Sequence, residues 1–138
     1  EALGWQLLAA AGGPGTIEAA RRRPVLEVGA LGAALRLAHV LQWQGRFLDA
    51  EELFLAAIAS AELLAATEPS GSSTWATATA MTAFGYQHLG KARFDQGRYR
   101  EALELFGAAL AIREASGAPP DQIASSRQAI AAARQRVG

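Results

Sequence analysis

Gln44-Gly45-Arg46-Phe47 and Gln96-Gly97-Arg98-Tyr99 are nearly the same four-residue phrase written twice, 52 positions apart. Outward from this phrase, Leu37–Glu62 aligns with Leu89–Glu114 without a gap, and 12 of 26 positions are identical. They are Leu37, Gln44, Gly45, Arg46, Ala50, Glu52, Leu53, Phe54, Ala56, Ala57, Ala59 and Glu62. Shared alanine bias accounts for some of these. It does not account for a Gln-Gly-Arg-aromatic corner followed in both copies by Ala, then Phe, then Ala at the same spacing. A glycine between two amphipathic stretches marks a tight turn, so each copy reads as helix, turn, helix. Such a unit cannot bury its apolar face alone and needs stacked neighbours.

The flanking periodicity supports this. In Pro24–Gln44, Leu31, Leu35, Ala38 and Leu41, with Leu37 and Val40 on an adjoining row, keep the spacing of an amphipathic helix. Phe47–Thr67 repeats it with Ala50, Leu53, Phe54, Ala57 and Ile58, and Asp49, Glu51 and Glu52 suit the positive end of a helix dipole. After the break at Glu68–Ser73, Ser73 or Thr74 is predicted to cap a long helix to about Gln96. A fourth helix begins near Tyr99, with Ala102, Leu103, Phe106, Ala109 and Leu110 on one face, and stops at Gly117 before Pro119 and Pro120. Pro120 opens a fifth, ending near Val137. Glu1–Ala11 is predicted helical, Gly12-Gly13-Pro14-Gly15 a linker, and Thr16–Arg23 a short helical turn. The fold expected is all-α, an α-solenoid of antiparallel helix pairs, with about two full repeats plus a final capping helix. As one domain over 1–138, it divides into an N-terminal helix and Gly-rich linker (1–23), a first repeat (24–68), a second (73–117) and a terminal helix (120–138). Ala38, Gly90, Ala50, Ala102, Ala57 and Ala109 are predicted where paired helices cross closely, with Phe54 and Phe106 filling the space beside them. A bulkier residue there would wedge a pair apart.

Composition agrees. Apolar residues make up 51% of the 138 residues but aromatics only 7%, and the excess is Ala and Leu, which favours helix over strand. Thirteen Lys plus Arg balance thirteen Asp plus Glu, so no global field draws nucleic acid or an anionic membrane. The absence of cysteine removes disulfides, thiolate metal sites and cysteine nucleophiles. Apolar runs are interrupted well before a spanning length. These features predict a soluble, cytoplasmic protein, and a first residue of Glu1 rather than Met reads as a trimmed or processed piece. Ala/Arg/Gly-rich usage suits a high-GC bacterium.

Tyr86, Leu89-Gly90, Gln96-Gly97-Arg98-Tyr99, Ala102, Phe106 and Ala109-Leu110 carry a family resemblance. So do Leu37-Ala38, Gly45, Phe47, Ala50, Phe54 and Ala57-Ile58. Both sets resemble the tetratricopeptide repeat, which pairs Leu-Gly in its first helix with Ala-x3-Phe-x2-Ala in its second. Ala109-Leu110-Ala111-Ile112-Arg113-Glu114 before Pro-Pro-Asp is similar to the longer repeats of kinesin light chains and many bacterial signalling proteins. A spacing of 52 exceeds the usual repeat of about 34, implying extra turns in Ala59–Thr67 and Thr74–Thr82.

The resemblance implies a non-enzymatic scaffold or adaptor that binds a peptide or helix of another protein in a concave groove lined by the first helices. On this sequence those positions are Arg36, His39, Gln42 and Trp43, then Phe84, Gln87, His88, Lys91 and Asp95, extended by Gln128 and Arg136. The family's best-known groove clamps a C-terminal carboxylate with Lys, Asn and Arg. Here His39 and His88 stand at Asn positions and Leu35 at a Lys position, so that specificity is not expected. Two histidines without cysteine or a nearby carboxylate are a poor metal site, and no metal or cofactor is expected. No Gly-x-Ser-x-Gly elbow, His-Glu-x-x-His pair or dinucleotide fingerprint occurs. Arg21-Arg22-Arg23 reads as a solvated connection. Alternative expectations are a regulatory or sensor segment of a larger bacterial signalling or transcription-regulating protein, and a homodimer through the terminal helix.

Overall fold

The computed structural model describes residues 28–137. Five α-helices account for 87% of them, and no strand occurs among the described residues. They are α1 (Val28–Trp43), α2 (Phe47–Thr67), α3 (Ser73–Asp95), α4 (Tyr99–Ser116) and α5 (Pro120–Val137). The all-α reading of paired, packed helices therefore stands. The expectations for Glu1–Ala11, Gly12–Gly15 and Thr16–Arg23 lie outside the described residues. The chain divides into two compact units, Glu1–Thr82 and Ala83–Gly138, the boundary falling inside α3.

The repeated phrase is a self-contained corner. Gly45 and Gly97 both take φ of +76°, the left-handed region that costs an L-residue about 1–2 kcal/mol and glycine little. Gly45 N–H then donates to Gln42 O at 3.0 Å and Arg46 N–H to Leu41 O at 2.9 Å. The second copy repeats both bonds, Gly97 to Phe94 at 2.9 Å and Arg98 to Arg93 at 2.8 Å. These are the paired bonds that satisfy the last carbonyls of a helix. The next helix starts at once, because Arg46 O and Arg98 O accept the Ala50 and Ala102 N–H groups, each at 3.0 Å. Each arginine then reaches forward three residues to a carboxylate in the first turn, Arg46 to Asp49 at 2.7 Å and Arg98 to Glu101. The phrase is thus two helix-end instructions joined: glycine closes one helix and arginine holds the start of the next.

In the first unit α1 packs on α2. Ala30, Leu31, Ala34, Leu35, Leu37, Ala38 and Leu41 from α1 are buried, as are Ala50, Leu53, Phe54, Ala57, Ile58 and Ala61 from α2. Burying a ring such as Phe54 contributes about 1.5–3 kcal/mol. The added length of this repeat is helix: α2 continues through Thr67, and Glu68 turns the chain out with extended backbone. The cap of α3 is Ser72, whose Oγ accepts the Trp75 N–H at 3.1 Å. It therefore lies one residue before Ser73 and two before Thr74, the two caps expected, and α3 ends at Asp95, beside the expected end near Gln96. Three consecutive hydroxyl residues all satisfy the local preference, and the Pro69–Gly71 turn selects the first.

In the second unit α4 packs on α5. Phe106, Ala102 and Ala133 form its buried centre, with Phe94, Leu103, Ala129 and Ile130 against them. Gly90 of α3 packs closely on this centre, since a Cβ there would lie 2.6 Å from Phe106 Cε1.

Candidate functional site

The predicted groove residues fall into three situations. On α1, Arg36 and Trp43 are exposed, while His39 and Gln42 are half-buried. Arg36, His39 and Trp43 lie at helical spacings of three and four, and together with Val40 and Gln44 they line one surface depression. Trp43 is 84% exposed and Val40 44%. A large indole in that position contributes almost nothing to its own unit's core, so packing does not account for it.

On α3, Phe84, His88, Lys91 and Asp95 also follow one face. Phe84 and His88 are in ring contact, with centroids 4.0 Å apart and planes tilted by 37°. Phe84, Lys91 and Asp95 are exposed.

Other predicted residues are engaged inside the second unit. Gln87 is 2% exposed, and its Oε1 accepts a bond of 2.8 Å from Ser126 Oγ of α5. Ser126 Oγ in turn accepts from Arg113 Nη1 at 2.9 Å, and the same Nη1 donates to Gln122 O at 3.1 Å. Gln87, Arg113 and Ser126 form a buried polar relay that fastens α5 onto α3 and α4. Its satisfaction is incomplete, because Gln87 Nε2 and Arg113 Nε have no hydrogen-bond partner. Burial pushes the Arg113 guanidinium below its usual value, and Asp121 opposes the shift. Arg113 still stays charged at any physiological pH. Arg136 is exposed, yet it donates to Tyr99 Oη at 3.3 Å and lies 5.5 Å from the Tyr99 ring and 5.8 Å from that of Phe94. It holds the end of α5 at the Gly97 corner. Gln128 is exposed on α5.

The relay was not predicted from the sequence. A Ser and an Arg at core-facing helix positions, Ser126 and Arg113, were the available signal. At the corner itself, Glu101 accepts from Arg98 and from Arg93 of α3. Chiefly through the Arg98 bond, and despite some desolvation, its carboxyl is held below the usual carboxylate value. Among the described residues no cluster of three His, Asp or Glu could hold a metal ion, and no helix is long and apolar enough to cross a membrane.

Two helix-turn-helix units with the same corner define a helical-repeat protein. The tetratricopeptide repeat family profile matches residues 83–116, and a second tetratricopeptide repeat profile, of the longer kinesin-light-chain-like type, matches 31–65. The chain belongs to the tetratricopeptide repeat family. No curated protein and no solved structure matches it. Repeats of this family generally mediate protein–protein interaction and scaffolding, and are typically non-enzymatic.

Proposed function

We propose that the chain is an interaction module that holds a peptide or helix of a partner protein against the outward face of α1. The observation that carries this is Trp43, exposed beside Val40 in a depression bordered by Arg36, His39 and Gln44. An indole offers a large rigid contact at small entropic cost, and Arg36 supplies a charge at the rim. The partner segment that fits has an apolar side chain to cover the indole and an acidic or polar group to meet Arg36. In the second unit, Phe84, His88 and Lys91 on α3 give a further contact face of the same mixed character.

The test is selection of binding peptides from a random displayed library, followed by titration against variants. Trp43→Ala should weaken the selected peptides by about thirtyfold or more, as loss of a central aromatic anchor does. Arg36→Ala should weaken them less, and Lys91→Ala serves the second face. Unchanged affinity with both Trp43→Ala and Arg36→Ala, at unchanged melting temperature, removes the α1 face from consideration.

A further inference from the structure

Helix α5 is lightly anchored on the second unit. Of its 18 residues only Ser126 and Ala133 are buried. Ala129 and Ile130, on the same face at helical spacing, pack against Phe106 and Ala102 from partly buried positions. By contrast α2 buries eight residues, Leu53, Phe54 and Ile58 among them. The rest of the hold on α5 is polar: Arg127 with Glu114 at 2.7 Å, Arg136 with Tyr99 Oη at 3.3 Å, and the relay through Gln87, Ser126 and Arg113. A helix held in this way opens at a lower free energy than one built into the core.

The relay is also mismatched at its centre. Arg113 is 6% exposed, yet its partners are neutral, the Ser126 hydroxyl and the Gln122 carbonyl. Among the described residues no carboxylate lies within ion-pair distance of it. A buried guanidinium without an opposite charge leaves its desolvation uncompensated. Both orphaned atoms of the cluster, Gln87 Nε2 and Arg113 Nε, are donors, and Ser126 spends its own proton on Gln87 Oε1. What the cluster lacks is therefore an acceptor, and an anionic one. A carboxylate accepts up to about four hydrogen bonds and donates none. It would pair with Arg113 and, with the Gln87 amide turned over, take the Nε2 proton as well.

We infer that the seat of α5 on α3 and α4 is an exchangeable docking site, whose competing occupant is a helix of a different protein with Asp or Glu where α5 carries Ser126. That helix keeps a small residue seven positions later, because Ala133 is 0% exposed beside Phe106. A second copy of this chain is a poor competitor. Its α5 brings the same serine and gains nothing over the resident helix, which residues 117–119 tether at high effective concentration.

The probe is a fluorescein-labelled peptide with the sequence of Pro120–Val137 and Ser126→Asp, compared with the same peptide unaltered, each titrated against the full chain. The Asp peptide should bind about tenfold or more tightly than the serine peptide. Its binding should raise hydrogen exchange in α5 of the isotope-labelled chain while α4 stays protected. Arg113→Gln in the chain should erase the difference between the two peptides. Gln87→Met, which removes the amide donors at similar volume, should lessen it several-fold and tests the cluster even if Arg113→Gln folds poorly. Trp43→Ala should leave both affinities unaltered, so this result stands or falls apart from the α1 face. No binding of the Asp peptide, equal binding of the two peptides, an Asp preference kept in both variants, or binding without faster exchange in α5 would each overturn the inference. So would a dimer in light scattering that the unaltered peptide dissociates, since α5 of a second copy would then be the occupant.

Discussion

Replacing Gly90 or Gly107 by alanine makes the same chemical change in two neighbouring helices, with opposite expected signs. At Gly107, in the interior of α4, an added Cβ meets nothing within 4 Å. Alanine there gains only its helical advantage over glycine, about 0.5–1 kcal/mol. At Gly90 the Cβ would lie 2.6 Å from Phe106 Cε1 and 2.7 Å from Cδ1, where carbon atoms normally sit about 3.5–4.0 Å apart. The ring must retreat by about 1 Å. It has little room, because Phe106 is buried against Ala102 and Ala133, with Leu103, Ala129 and Ile130 around them. Overpacking of this kind costs about 1–3 kcal/mol. After the helical gain, Gly90→Ala should lose about 0.5–2 kcal/mol, so the two variants should differ by about 1–3 kcal/mol. For a chain of this size each kcal/mol moves the melting temperature by about 3–5 °C. Urea titrations followed by circular dichroism at a common slope give the difference directly. Gly90→Ala combined with Phe106→Leu should be less damaging than the sum of the two changes, because the added methyl enters space the ring vacates. If Gly90→Ala proves as stable as Gly107→Ala, the close approach of α3 to Phe106 is wrong, and with it the role of small residues at this crossing.

Three further outcomes are expected. Ser126→Ala leaves Gln87 Oε1 and one Arg113 donor buried without the serine, so it should cost about 1–3 kcal/mol and raise hydrogen exchange in α5 above that in α1 and α2; uniform exchange would refute the relay as the fastening of α5. Gly97→Ala, which forces a Cβ into the left-handed corner, should destabilise by about 1 kcal/mol or more, while the same change at Gly107 stabilises; denaturant midpoints decide between them. The depressed Glu101 carboxyl means that its corner contacts contribute stability above the unfolded-state value and lose it as pH falls through the lower folded-state value. An NMR titration should place its midpoint below an ordinary glutamate and return it upward in Arg98→Ala, and a midpoint at or above the ordinary value in the parent chain would contradict the pairing.

The corner, the helices and most of the core were legible in the sequence because they are decided locally. A left-handed glycine, an arginine three residues before an acid, and apolar residues at helical spacing act within one or two turns of the chain. Gln87 shows the limit. Its spacing on α3 is that of a lining residue, but Ser126, which claims it, is 39 residues away. Which face a helix leaves open depends on what docks there, and the docking of α5 is not encoded near Gln87. Trp43 is a further case, since the exposure of its indole depends on what packs beside α1 and not on its spacing along the helix. Leu48, Leu55 and Leu63, exposed on the outer side of α2, were hidden among Leu53, Phe54 and Ile58, where a broad apolar helix reads as one large core face. Only the burial pattern separates the two sides, and only comparison with Arg100, Gly107 and Ala115, 52 residues further on, shows that the outer side is optional.

Because the corner closes its own backbone bonds, the hairpin's shape is insulated from what its outer surface carries. Leucine at 48 and arginine at 100 sit at the same place on the same architecture, so exterior positions are open to change with little risk to folding. A duplicated hairpin of this kind can keep one copy's surface while the other acquires a new one, which gives a short chain two unlike faces from a single inherited plan.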